Sequence, residues 1–320
     1  MSKKNRLETR PVTHINRSGD QMFQHTLAAP ARLSGVGLHS GAKIDMEIRP
    51  APTDAGVRFV RTDRPAAEAV IEAAWDRVSD TRMCTVIAND AGVSIGTIEH
   101  LMAALSGMGV DNAEIHLNGP EVAILDGSSA EFVAALSGAG LQIQDGLRQV
   151  IRVLKPVEIR DGDKIARLDP AETASFSFDI DFASAAIGRQ RCAVALTPDV
   201  FARDISKART FGFLHEVEAM RRMGLARGGS LENAVVVDGD RIVNEGGLRF
   251  KDEFVRHKIL DAVGDLFLAG CPIIGRYHGD KAGHALNNRL LHALFADRSA
   301  WRYDVLTAAT PTLALSRAVA

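Results

Sequence analysis

The 320-residue chain lacks three features that would set its class at once: a cysteine framework, a long apolar run and an excess of one charge. Its three cysteines, Cys84, Cys192 and Cys271, are isolated and odd in number. They favour neither a disulfide framework nor a zinc ribbon, and they are typical of a reducing cytoplasm. No run of about 18 apolar residues occurs, so we expect no transmembrane segment. A formal net charge of −2 gives no basic surplus, so we expect no nucleic-acid partner.

The length of the chain exceeds what one hydrophobic core comfortably fills, which favours two domains. Residues 1–24 are polar, with a basic start and no apolar core of a signal peptide, and they predict a flexible N-terminal tail. Residues 25–148 and 149–320 are then the two predicted domains. Each has strand signals followed by helix signals, an order typical of the α+β class.

In the first half, alternating apolar and polar residues predict strands at 43–49 and 112–118. A helix that starts near Glu99 lies between them. A capping box formed by Ser128 and Glu131 predicts a second helix that ends near Gly138. Residues 140–148 are interpreted as a connector.

In the second half, strand signals occur at 150–154, 164–168 and 175–182. An Asp-Gly-Asp turn predicts a hairpin within 235–243. Helices are predicted at about 213–223 and 252–269. Strands followed by helices in both halves are what an old duplication would leave, although no repeat is visible in the sequence itself.

The most informative stretch of the chain is residues 257–265. Side chains four apart on a helix lie one above another, so His257, Asp261 and Asp265 form one stripe beside an apolar arc. On its own, such a stripe is more typical of a solvated helix face. A second polar pair, Glu99 and His100, begins another helix whose apolar arc is formed by other residues: Ile98, Leu101, Met102 and Leu105.

Together the two segments supply side chains typical of a catalytic zinc site. His100, His257 and Asp261 give three ligands and leave one position open, whereas structural zinc usually has four ligands, mostly cysteine. Glu99 is adjacent to a ligand in sequence and can accept a proton from water at such a site.

The chain also resembles a known family, the UDP-3-O-acyl-N-acetylglucosamine deacetylases, which are zinc amidohydrolases of lipid A biosynthesis. The resemblance runs from about residue 25 to near the C-terminus. It includes Thr-Ile-Glu-His-Leu at 97–101 and Ala-Arg-Thr-Phe-Gly-Phe at 208–213. All matching stretches occur in family order: 34–40, 97–101, 109–112, 126–129, 208–213, 244–250, 252–265 and 283–288.

The resemblance implies two similar α+β domains whose helix layers pack between two β-sheets, with the active site in the cleft between the domains. It implies one Zn²⁺ per chain, bound by His100, His257 and Asp261. The implied reaction removes the N-acetyl group of UDP-3-O-acyl-N-acetylglucosamine, a committed step of lipid A biosynthesis. We therefore expect a small-molecule substrate, a cytoplasmic location and a monomer.

Family roles carry over to individual residues. Glu99 matches the general base, His284 the electrostatic stabiliser and proton donor, and Asp265 the carboxylate that orients it. Lys258, about 100° round its helix from His257, matches a cation at the substrate, and Thr210 matches a hydroxyl at the oxyanion. A solvated lysine, a capping histidine and core phenylalanines are the ordinary alternatives. The remaining matches are at substrate-binding positions: Phe211 at the sugar, Phe182 at the uracil, and Asp181, Lys281 and Phe213.

An insert at about 213–245 matches the part of the family that forms a passage for the acyl chain. The sequence departs from some members there, because Ala226 and Asn233 stand where those members have cysteines. Arg82 stands in a substrate-side segment where some relatives have an apolar residue. These departures bear on acyl preference and leave the catalytic set intact.

Two other functions remain open from the residues alone. A zinc peptidase would usually have a His-Glu-x-x-His helix, which is absent from this sequence. A non-enzymatic protein with a structural metal would have a closed ligand shell and no use for Glu99 or His284.

Overall fold

The computed structural model describes residues 22–307, and within that range the fold is α+β, as predicted. The predicted tail lies outside the described residues up to residue 21, and its last two residues already belong to a strand. No helix between residues 22 and 307 is long and apolar enough to cross a membrane.

The first half contains two helices, α1 (Glu99–Met108) and α2 (Ala130–Ala139), a 3₁₀ turn at Trp75–Arg77, and ten strands: β1 (Phe23–Leu27), β2 (Ala31–Val36), β3 (Lys43–Pro50), β4 (Val57–Arg61), β5 (Val70–Glu72), β6 (Val78–Asp80), β7 (Val86–Ala88), β8 (Ser94–Ile95), β9 (Ala113–Leu117) and β10 (Leu141–Leu147). The second half contains four helices, α3 (Pro198–Val200), α4 (Leu214–Arg222), α5 (Glu253–Phe267) and α6 (His284–Ala296), a π-helical turn at Phe201–Ile205, and eleven strands: β11 (Gln149–Val153), β12 (Val157–Asp161), β13 (Lys164–Asp169), β14 (Ser175–Asp181), β15 (Arg189–Ala195), β16 (Phe211–Phe213), β17 (Val235–Asp238), β18 (Arg241–Ile242), β19 (Ile273–Ile274), β20 (Arg276–Asp280) and β21 (Trp301–Val305).

Each half is built on a five-stranded sheet, and the two sheets have the same topology. The strand orders are β2-β3-β9-β4-β5 and β12-β13-β20-β14-β15. In both sheets the central strand is antiparallel to the strand on one side and parallel to the strand on the other. This shared order and direction is the repeat that the sequence does not show.

Three helices pack directly on these two sheets: α2 on β2 of the first, and α5 and α6 on the second. Helix α1 lies against α5 and α2, while α5 also contacts β14 and β15. The α1–α5 contact is so close that a Cβ atom at Gly264 would overlap the backbone carbonyl of Glu99. Glycine is therefore required at this crossing. The apolar arc of α1 is fully buried, as its periodicity predicted.

Two local predictions in the first half are wrong. The N-cap of α2 is Ser129, and its side chain makes no capping bond, so the predicted capping box does not form. The Ser128 hydroxyl instead accepts a hydrogen bond from the Ala130 N–H and donates one to Asp126 Oδ1, in a short turn. Residues 141–147 form a strand rather than a connector, because they pair antiparallel with β1, more than a hundred residues earlier in the chain.

An aromatic cluster joins the two halves beside α6. Trp75, from the 3₁₀ turn of the first half, stacks on Phe295 of α6 with ring centroids 4.9 Å apart. Phe295 contacts Trp301 edge to face at 5.0 Å, and Trp301 contacts Tyr303 in the same way. The Arg298 guanidinium lies over the Trp301 ring at 4.3 Å. Both tryptophans of the chain therefore belong to one cluster.

Candidate active site

Three buried side chains from the two central helices meet at one point. His100 comes from the first turn of α1, and His257 and Asp261 lie one turn apart on α5. Their nearest ligand-type atoms all lie within 4.8 Å of one another. Asp261 Oδ1 is 3.3 Å from His257 Nε2 and 3.7 Å from His100 Nε2. His257, Asp261 and Asp265 are all buried, which excludes the solvated-stripe alternative.

Unpaired lone pairs at this cluster fit a metal ion. Asp261 Oδ1 is buried and has no hydrogen-bond partner within residues 22–307. His257 Nδ1 lies 3.0 Å from the carbonyl oxygen of Ala208, a contact that keeps the proton on Nδ1 and leaves Nε2 free as a ligand. Burial lowers the pKa of His100 to about 3 and lowers that of His257, so both imidazoles are neutral and able to bind a metal.

A carboxylate and an imidazole face each other beside the cluster. Glu99 Oε1 is 3.7 Å from His284 Nε2, at the N-terminus of α6. Burial raises the pKa of Glu99 to about 7, as suits a general base. Burial alone would lower the pKa of His284, but the charges of Asp265 and Glu99 outweigh it and raise that pKa to about 9. His284 therefore holds a proton at neutral pH.

Asp265 orients His284 through a hydrogen bond of 2.8 Å between its Oδ2 and His284 Nδ1. Two further residues, neither of which the sequence singles out, also hold this carboxylate. The Thr85 hydroxyl donates to Oδ1 at 2.6 Å, and the Asn287 amide donates to Oδ2 at 2.8 Å. Asn287 lies within the matching stretch 283–288, but no periodicity or spacing marks either residue as a partner of Asp265.

Lys258 forms an ion pair with a residue of the cluster. Its ammonium donates to Asp261 Oδ2 at 2.6 Å, because residues three apart on α5 lie on neighbouring parts of the helix surface. Lys258 also lines the pocket, and its position at the substrate stays a prediction. Burial opposes the shift, but the Asp261 charge outweighs it and raises the pKa of Lys258, so the lysine is charged.

A pocket of about 220 Å³ opens onto these groups. Its wall includes the cluster, Glu99, His284 and Lys258, and also two sequence-predicted residues, Thr210 and Phe211. Cys84, Met83 and Leu38 line it as well. Burial and the Glu99 charge raise the pKa of the Cys84 thiol to about 12, so it is protonated.

The remaining predicted substrate residues are not part of the pocket wall. Phe182 contacts Phe211 edge to face at 5.8 Å and Phe213 at 6.0 Å, and all three are half-buried. Asp181 is the last residue of β14, Lys281 follows the neighbouring strand β20, and neither lines the pocket. Lys281 pairs with Asp163 at 2.8 Å.

A buried His₂Asp set that faces a pocket, with a free carboxylate and a protonated histidine beside it, is typical of metal-dependent hydrolases. Residues 24–296 match the family model of UDP-3-O-acyl N-acetylglycosamine deacetylase, so the chain belongs to this deacetylase family. The sequence resemblance is thereby confirmed.

Curated relatives agree with the family match. The chain is 53% identical over 281 residues to the UDP-3-O-acyl-N-acetylglucosamine deacetylase of Phenylobacterium zucineum (strain HLK1), a span that covers 88% of this chain and 96% of the relative. It is 48% identical over 283 residues to the protein of the same name from Shewanella halifaxensis (strain HAW-EB4), covering 88% and 92% of the two chains.

Proposed function

We propose that this chain hydrolyses the N-acetyl group of UDP-3-O-acyl-N-acetylglucosamine, releasing acetate and a free amine, as a step of lipid A biosynthesis. Family membership and the names of the relatives support this substrate. The observation that carries the proposal is the placement of His100, His257, Asp261, Glu99 and His284 around one pocket.

His100, His257 and Asp261 would hold one Zn²⁺, since their nitrogen and oxygen donors suit zinc and their number leaves a position open. When bound, zinc supplies Lewis acidity that polarises a carbonyl and activates water. Asp261 Oδ1 has no hydrogen-bond partner among the described residues, which supports its assignment as a ligand. The ion pair with Lys258 fixes the other oxygen of the same carboxylate.

The residues beside the cluster would carry the protons. Glu99 takes a proton from the water that attacks the acetyl carbonyl carbon. His284, held protonated against Asp265, stabilises the oxyanion and then gives its proton to the nitrogen as the carbon–nitrogen bond breaks. The hydroxyl of Thr210, on the pocket wall, donates a hydrogen bond to the oxyanion. The products are acetate and the amine.

The rest of the substrate would extend from the pocket along the aromatic side chains. Phe211 lies at the pocket and Phe182 next to it, in an order that suits a sugar followed by a uracil. Asp181 and Lys281 would contact the nucleotide. Phe213 begins the insert at about 213–245, which we assign to the acyl chain.

One incubation tests this function. The purified protein with UDP-3-O-acyl-N-acetylglucosamine should release one acetate per amine formed. Excess chelator should stop the release without unfolding the protein, and one equivalent of Zn²⁺ should restore it. No acetate from the zinc-loaded protein would refute the proposed substrate. Full activity of metal-free protein would refute the metal site and leave the substrate standing.

A further inference from the structure

Thr85 contacts two carboxylates of the candidate site, that of Glu99 and that of Asp265, which holds His284. Its backbone N–H donates to Glu99 Oε2 at 3.1 Å, and its hydroxyl donates to Asp265 Oδ1 at 2.6 Å. Thr85 is 2% exposed, so water does not compete for these bonds. One residue thus fixes the carboxylate of the proposed base and the carboxylate that holds the proposed acid.

The second oxygen of Asp265 is fixed from the opposite side. Oδ2 accepts from Asn287 Nδ2 and lies 2.8 Å from His284 Nδ1. The Tyr277 hydroxyl donates to Asn287 Oδ1 at 2.7 Å. Because the amide oxygen is occupied by this donor, the amide cannot flip, and its NH₂ group stays turned toward Asp265.

We propose that Thr85 is a positioning residue, an inference that rests on the proposed function. Together with Asn287 and Tyr277, Thr85 fixes the Asp265 carboxylate. The fixed carboxylate holds the His284 ring so that its Nε2 points at the reacting atoms. A carboxylate with one oxygen free would rotate about its Cβ–Cγ bond and carry the imidazole with it. Hydrogen bonds of this outer kind typically contribute about 10- to 100-fold to activity at metal sites.

Three variants separate the effect of the Thr85 hydroxyl from that of the Thr85 backbone N–H. Thr85→Val keeps the shape and the backbone N–H to Glu99 but removes the bond to Asp265. Thr85→Ser retains the hydroxyl. Thr26→Val is the matched control, since Thr26 is another buried threonine whose hydroxyl bonds the backbone of residue 112, in a different part of the fold.

Steady-state kinetics give the first readout. Thr85→Val should lower kcat by about 10- to 100-fold with little change in KM, and Thr85→Ser should recover most of it. Added to His284→Ala, Thr85→Val should cost little more, because residues that act as one unit are not additive. Full additivity, or an equal loss in Thr26→Val, would overturn the positioning role.

A proton NMR spectrum of the zinc-loaded protein gives the second readout and needs no substrate. The Nδ1 proton of His284 should give a downfield signal that is absent from His284→Ala. The signal should be lost or broadened in Thr85→Val and kept in Thr85→Ser and Thr26→Val. An unchanged signal in Thr85→Val would refute the inference even if the proposed substrate is correct. A changed signal would support it even if no acetate is released.

Discussion

At the scale of single residues, burial and neighbouring charges give the two proposed proton carriers, Glu99 and His284, different pKa values. Glu99→Gln and His284→Ala should each lower kcat by about 10²- to 10⁴-fold, because each removes one proton transfer. Metal content should stay at one per chain, since neither side chain belongs to the ligand cluster. Acetate release and metal analysis on the same samples measure both quantities.

Glu131→Gln provides the control for this pair, because Glu131 is an exposed glutamate on α2 outside the pocket. It should keep wild-type turnover. Metal loss in Glu99→Gln would reassign Glu99 as a ligand, and unchanged turnover in His284→Ala would remove the proposed acid.

Another buried carboxylate, Glu253, ties stability to pH. Burial alone would raise the pKa of Glu253, but hydrogen bonds from Arg209 and the Arg249 backbone outweigh burial and lower it. Because the pKa is lower in the folded state, this pair stabilises the fold above the unfolded pKa of about 4.3. That stability is lost as pH falls through the lower folded value.

Glu253→Gln should therefore lower the free energy of unfolding by about 3 kcal/mol at pH 7, the cost of leaving the Arg209 charge unpaired. The difference from wild type should shrink as pH falls below about 4. Urea unfolding at pH 7 and at successively lower pH measures it. A constant difference at every pH would mean that Glu253 does not provide this dependence.

At the scale of elements, the α1–α5 contact sets the distance between the metal ligands of the two halves. Gly264→Ala should cost about 1–3 kcal/mol of unfolding free energy, because the new Cβ meets the Glu99 backbone. It should also weaken metal binding, since α1 carries His100 and α5 carries His257. Urea unfolding and a competitive zinc titration measure the two effects.

The matched control is Gly138→Ala in α2, where a Cβ meets nothing within 4 Å. That change should stabilise the protein by about 0.5–1 kcal/mol, since alanine favours a helix. Equal losses in both variants would show that the close contact at Gly264 does not limit the packing.

The insert proposed for the acyl chain is better tested at Val217 than at Ala226, where the sequence departs from some family members. Ala226 is buried and has a left-handed backbone with φ of 50°, so any larger residue there is strained whatever it faces. Val217 of α4 lies next to Gly212, the residue between Phe211 and Phe213 in the sequence; a Cβ atom at Gly212 would be 3.5 Å from Val217 Cγ2. Val217→Trp should therefore raise KM for long-chain substrates more than for short-chain ones, at unchanged zinc content. Equal changes for all chain lengths would place the tail elsewhere.

Periodicity predicted the elements whose partners are near in sequence or whose faces are regular. It placed α1 and α5, and the four-residue spacing on α5 brought His257 and Asp261 together. It did not predict β10, whose partner is more than a hundred residues away, or the bonds of Thr85 to Asp265. Such pairings depend on tertiary packing and leave no spacing in the sequence.

At the scale of the whole molecule, the matching strand orders point to one unit used twice. Every strand pairing within residues 22–307 joins strands on the same side of residue 148. This supports the proposed division into residues 25–148 and 149–320. Ligands from α1 on one side and α5 on the other place the site where the two units meet, so neither unit would form it alone.

The aromatic cluster beside α6 means that the intrinsic tryptophan fluorescence of the protein reports on one place in the fold. Because Trp75 and Trp301 are the only tryptophans and share one cluster, ultraviolet emission comes almost entirely from this corner of the molecule. His292, which touches Trp75, lies eight residues along α6 from His284, or about 12 Å of helix. Emission should therefore report separation of the two halves during denaturation, while ligand titrations at the pocket will need a different label.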